Sequence, residues 1–154
     1  MSILAKNKKA HFDYEILETY EAGIVLRGFE VKSAKLGHVS LKGAYVIIKD
    51  NEAYLLNTHI SPYQATNTPK NYEPTRSRKL LLKHSEISTL IGKSKNQGLT
   101  LLPLSLYTVK GKVKVEIGVG KGKKKYEKRE KLKKREAEKE MARAMKQGMS
   151  GFDG

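Results

Sequence analysis

One constellation in this 154-residue chain has a chemistry that can be named at once: an aromatic ring set among cations. Tyr126 is flanked by Lys123, Lys124, Lys125, Lys128 and Arg129. The ring offers a nucleobase a stacking face and the cations clamp phosphates, so the pattern suits a single-stranded nucleic acid. A second cluster, Arg76, Arg78 and Lys79, precedes the apolar run Leu80-Leu81-Leu82. With residues 79–93 read as a helix, Leu80, Ile87 and Ile91 share a core-facing stripe with Leu90 beside it. Leu81 then lies about 100° round from that stripe. There it offers a base or a partner an apolar contact beside the cations.

Catalytic chemistry is poorly supplied. His11, His38, His59 and His84 are scattered and show no metal-ligand spacing. There is no cysteine, hence no disulfide or thiolate site. Gly118-Val-Gly-Lys-Gly has the composition of a phosphate loop without its spacing. No enzyme activity, metal or cofactor is expected. The one catalytic alternative is a nuclease built on His59 and Glu21, which would cleave labelled RNA.

The net charge of +15 favours a polyanionic partner. Residues 1–120 hold 18 Lys and Arg against 10 Asp and Glu, while residues 121–154 hold 13 against 6. The last 34 residues therefore carry nearly half the excess charge. No apolar run approaches the ~20 residues that span a bilayer, and the N-terminus lacks a signal-peptide core. A cytoplasmic protein without a membrane partner is expected.

Two regions must position these groups: a domain over 1–120, expected to meet the polyanion, and a basic tail over 121–154. Phe12 to Val31 reads as strand material interrupted at Gly23, with a short helical turn over Phe29–Leu36 ended by Gly37. Ala44–Lys49 and Ala53–Asn57 flank Asp50-Asn51, which reads as a β-hairpin. Residues 61–76, with three prolines, read as a long loop. Leu99–Tyr107 pairs with Lys112–Val119 across Lys110-Gly111. The sum is a mainly β chain, an OB-like antiparallel barrel with flanking helices. The tail is too poor in apolar residues to fold alone and is expected to be disordered when free. Its helix formers and the spacings Glu127–Lys131 and Glu130–Lys134 favour a helix once RNA neutralises it. Ala137, Met141, Ala144 and Met145 make a narrow apolar stripe within it.

Several segments in fixed order carry a family resemblance. They are Asn7-Lys-Lys-Ala, Tyr20-Glu-Ala-Gly, Gly28-Phe-Glu-Val-Lys-Ser, Pro74-Thr-Arg-Ser-Arg-Lys-Leu-Leu-Leu, Leu104-Ser-Leu-Tyr and Gly120-Lys-Gly-Lys-Lys-Lys-Tyr-Glu-Lys-Arg-Glu. From about Asn7 to Met145 the chain resembles the SsrA-binding proteins, the bacterial partners of transfer-messenger RNA. The resemblance implies binding to the tRNA-like domain of that RNA and delivery to stalled ribosomes for trans-translation. It implies that the barrel replaces an anticodon arm while the tail lies as a helix in the decoding centre and the empty mRNA channel. Contact with elongation factor Tu would be indirect, through the RNA. Asn7, Glu21, Leu81 and Lys114 match family positions associated with the tRNA-like domain. Tyr126, Lys128 and Arg129 match decoding-centre positions, and Met145 matches a hydrophobic position near the tail tip. Glu127 stands where the family usually has Asp, and Ala144 where a bulkier aliphatic occurs. A ribosomal protein that threads its tail through rRNA is the competing reading. It would co-purify with every ribosome at unit ratio.

Overall fold

The computed structural model of the chain describes residues 1–64, 66, 68–96, 98–123 and 134–143. The strands are β1 (Ser2–Lys6), β2 (Tyr14–Ile24), β3 (Val39–Ser40), β4 (Tyr45–Lys49), β5 (Glu52–Leu56), β6 (His59–Ile60), β7 (Arg78–Leu81), β8 (Leu99–Val109) and β9 (Lys112–Gly122). The helices are α1 (Lys8–Asp13), α2 (Gly28–Lys35) and α3 (His84–Ser94), with a further helix, α4, over 134–143. Seven strands pair antiparallel in the order β1-β8-β9-β2-β7-β5-β4, and β3 pairs with β6. β4 also packs against β8, so the two margins of the sheet approach and the strands make an OB-like barrel.

Alternation explains the core. Along β9, Val113, Val115, Ile117 and Val119 are buried in the main cluster with Leu55, Leu80, Leu90 and Leu106. The intervening residues point to the other face. An irregularity in β8 between Pro103 and Ser105 shifts the pattern and turns Leu102 and Leu104 outward. There they form a second cluster with Ala10 of α1. Gly118 lies under this helix: a Cβ there would meet Leu104 Cδ1 at 2.8 Å. Gly118→Ala should therefore cost about 1–3 kcal/mol through overpacking. The check is the urea midpoint, which should fall with an unchanged slope.

Both expected hairpins are present. Asp50 and Asn51 have φ of 50° and 60° between β4 and β5, and Lys110 and Gly111 have 51° and 78° between β8 and β9. These paired positive values mark the turn type that matches strand twist. α2 stops where Gly37 adopts φ +83°.

Three expectations are corrected. Residues 79–93 are not one helix: β7 ends at Leu81, and α3 starts only at His84. β7 pairs with β2 on one side and β5 on the other, so the leucine run alternates with period two instead of winding. Leu80 is buried for that reason, while in α3 only Leu90 is buried and Ile87 and Ile91 are partly covered. β2 is continuous through Gly23, and its irregularity falls between Ile16 and Glu18. Phe12 and Asp13 belong to α1. Within the tail, residues 134–143 are helical. The spacings Lys134–Glu138, Arg135–Glu138, Glu136–Lys139 and Glu140–Arg143 put opposite charges three or four residues apart, which favours the helix.

The barrel unit runs from Met1 to Gly122, and residues from Lys123 onward form a separate unit. Pairing of Gly122 with Tyr14 carries β9 two residues past position 120. Among the described residues no helix is long and apolar enough to cross a membrane.

The long loop before β7 is anchored by a buried ion cluster. Glu30 and Arg78 are both fully buried. Arg78 donates to Glu30 Oε2 from Nε at 2.8 Å and from Nη2 at 2.6 Å. Its Nη1 reaches the Thr58 carbonyl at 2.6 Å, and Nη2 also reaches the Pro74 carbonyl and the Tyr72 hydroxyl, each at 2.9 Å. Arg76 also pairs with Glu30. The Arg27 backbone N–H donates to Glu30 Oε1 at 2.9 Å and caps α2. Tyr72 packs edge-on against Phe29 with ring centroids 4.8 Å apart.

Candidate nucleic-acid interface

Sheet register joins residues that are remote in sequence. Ile3 sits opposite Tyr107, Tyr107 opposite Lys114, Lys114 opposite Gly23, and Gly23 opposite Leu81. The neighbouring row runs Lys6, Ser105, Glu116, Glu21. Inward alternation of Ala22, Leu80, Leu106 and Val115 turns these rows outward. Leu81 is 54% exposed and Ile3 50%, so the first row ends in an apolar side chain at each margin. A Cβ on Gly23 would come within 3.2 Å of Leu81 Cβ, so the glycine leaves the leucine its place.

Two adjacent depressions of about 480 and 370 Å³ share Gly23, Leu81 and Lys114. The larger adds Glu21, Lys83 and Glu86, and the smaller adds Leu26, Val31 and Lys112. The charge here is mixed, with lysines and carboxylates side by side. Tyr107 sits under the carboxylates. Its hydroxyl is pushed up to about 12, by burial first and then by the negative charge of Glu21 and Glu116. It therefore stays protonated at neutral pH and is in hydrogen-bonding contact with Glu21.

Such a face can recognise a folded RNA. Lysines meet phosphates, carboxylates accept hydrogen bonds from base amines, and an exposed leucine packs against a base or ribose. A uniformly basic face would hold any polyanion; carboxylates select for bases offered in the right place.

The site residues expected from sequence divide sharply. Glu21, Leu81 and Lys114 are brought together. Lys79 also faces outward on β7, paired with Glu52 at 2.9 Å. Arg78 does not reach the surface, because its guanidinium is consumed by Glu30 and by carbonyls of the long loop. Arg76 is part of the same cluster. Asn7 caps α1, accepting from Ala10 N at 3.2 Å, and its Nδ2 donates to the Pro103 carbonyl at 2.8 Å. It ties α1 to β8. Lys123 follows β9 directly and is described. Lys124, Tyr126, Lys128, Arg129 and Met145 lie outside the described residues, as do the Glu127–Lys131 and Glu130–Lys134 spacings and Ala144. In α4, Ala137 and Met141 are exposed. Sequence reasoning missed Tyr107, hidden as the last residue of Leu104-Ser-Leu-Tyr, and Ile3. Only the strand register reveals them. No group of His, Asp and Glu among the described residues is placed to hold a metal.

The model of the SmpB protein family matches residues 4–147, which takes in both outward rows apart from Ile3. This chain belongs to the SmpB family. It is 51% identical over 147 residues to the SsrA-binding protein of Thermosynechococcus vestitus, covering 96% of this chain and 97% of that one. The SsrA-binding protein of Nostoc sp. is 53% identical over 94% of this chain and 93% of its own. That of Cupriavidus taiwanensis is 52% identical over 94% and 97%. Among solved structures, a chain from "tmRNA-SmpB: a journey to the center of the bacterial ribosome" aligns with a TM-score of 0.65 and 47% identity. It covers 78% of this chain and 84% of that one. The SmpB family is thus shown over nearly the whole sequence, barrel and tail alike.

Proposed function

We propose that this chain binds the tRNA-like domain of transfer-messenger RNA and delivers it to stalled ribosomes for trans-translation. The observation that carries the contact is the clustering of Glu21, Leu81 and Lys114 on the outward face of β2, β7 and β9. Lys114 and Lys79 meet phosphates, Leu81 packs on a base or ribose, and Glu21 reads a base edge. Asn7 acts by fixing α1, and Arg76 and Arg78 act by fixing the loop that leads into β7. The division at about residue 120 assigns RNA capture to the barrel and ribosome engagement to the basic tail. There Tyr126 stacks in the decoding centre, Lys123, Lys124, Lys128 and Arg129 hold rRNA phosphates, and Met145 makes an apolar contact at the tip. The protein works in the cytoplasm, catalyses no reaction, and meets elongation factor Tu only through the shared RNA.

Glu21→Gln tests the contact. The variant keeps the shape and removes the strong acceptor, so affinity for the isolated tRNA-like domain should fall about tenfold, a charged hydrogen bond being worth about 1.5–3 kcal/mol. Its thermal midpoint should stay within a degree or so, because Glu21 is exposed. Parallel loss of stability and binding would instead make the residue structural.

A further inference from the structure

A second cleft, of about 700 Å³, opens between α1 and the segment that joins β3 to β4. It shares only Lys6 with the outward rows described above. Its floor is apolar: Leu41, Ala44 and Leu102 are 2%, 9% and 4% exposed. Lys6, Lys8, Lys9 and Lys42 stand exposed on its rim, and Asp13 is the single carboxylate among the lining residues. Tyr45 lines the same cleft and is 42% exposed.

Each property narrows the occupant. The volume falls in the range of about 300–1,000 Å³ typical of small-ligand sites, which accommodates one nucleotide and not a helix of RNA. Four lysines against one carboxylate call for an anion. The apolar floor and the exposed ring call for a flat, partly apolar body joined to that anion. Free phosphate would leave the floor empty, and an uncharged apolar molecule would leave the lysines without partners. A nucleotide turned out of its stack satisfies both, since its base can lie against Tyr45 while flanking phosphates meet the lysines.

We propose that this cleft captures one unstacked nucleotide of a bound RNA. The proposal rests on the RNA-binding reading above and adds a pocket that reading does not use. Transfer-messenger RNA and ribosomal RNA are the two possible sources, and the test separates them. The full chain is bound to transfer-messenger RNA, first alone and then on ribosomes, irradiated at short wavelength and digested. Mass spectrometry then seeks a nucleotide adduct on the peptide holding Lys42 and Tyr45, and sequencing assigns the RNA. An adduct is expected in at least one arm. In that arm Tyr45→Ala should weaken the complex about tenfold, while Tyr45→Phe, which keeps the stacking ring, should bind as wild type. Lys42→Gln should weaken it severalfold, so the idea stays testable if Tyr45→Ala folds poorly. Absence of an adduct in both arms overturns the pocket. So does binding within twofold of wild type by Tyr45→Ala and Lys42→Gln in both arms, even where Glu21→Gln is impaired. A wild-type chain that binds neither RNA overturns the RNA reading and the pocket together.

Discussion

Glu30→Gln should cost this protein about 3–5 kcal/mol of folding stability, the usual cost of removing one partner from a buried ion pair. The side chain keeps its volume but no longer neutralises Arg78, whose guanidinium has no route to solvent. With typical domains stable by only about 5–15 kcal/mol, the urea midpoint should fall steeply. A double variant, Glu30→Gln with Arg78→Met, should recover part of the loss, because the stranded charge is gone. A single-variant loss below about 1 kcal/mol would show that water or a shifted Arg76 can compensate, and the cluster would not be what holds the loop.

The same carboxyl sets an acid limit. Burial alone would push it up. Hydrogen bonds from Arg76, from the Arg27 backbone and from Arg78 outweigh burial and hold it at about 2, against an ordinary 4.5. A folded value below the unfolded one means the contribution is complete above about pH 4.5 and is lost as pH falls towards 2. The difference corresponds to about 3 kcal/mol. Wild type should therefore lose stability across that window more steeply than the Glu30→Gln/Arg78→Met variant, whose cluster lacks this titrating group.

This cluster also marks where sequence reading stops. Arg78 stands in a basic run that looks like surface, and its partner lies 48 residues earlier with no local pattern linking them. Turn chemistry was legible because it is local: Asp50-Asn51 and Lys110-Gly111 accept positive φ, and each fixes a hairpin. The leucines at 80–82 fit period two as well as 3.6, and only pairing on both sides of β7 decides between them. Leu81 faces outward by strand alternation and not by helical winding. Glu21 and Lys114 were legible by resemblance alone; what gathers them with Leu81 is register across three strands, to which no local signal points.

A chain ending at Gly122 should bind the isolated tRNA-like domain within about twofold of the full protein, yet tag essentially no nascent chains on stalled ribosomes. Both buried clusters lie within the barrel unit, and all ten described residues of α4 are exposed, so truncation removes no described core contact and the thermal midpoint should hold. Residues 1–122 keep 19 Lys and Arg against 10 Asp and Glu, enough positive charge to attract RNA. What the truncation removes is the ring among cations and the helix formers behind it. Tyr126→Ala alone should remove a stack worth about 1–3 kcal/mol. That predicts a partial tagging defect beside the complete one, with Met145→Ala failing at a later step for want of an apolar contact. If the tail engages the ribosome as a helix, as the resemblance implies, the helical residues 134–143 contribute part of that form, and the entropy of ordering them is lowered. Breaking that helix with Ala137→Pro, about 3 kcal/mol in an exposed helix interior, should therefore impair tagging while sparing RNA capture. Normal tagging by the Gly122 truncation would sink this division of labour, and normal tagging by Ala137→Pro would show that the helix is incidental to it.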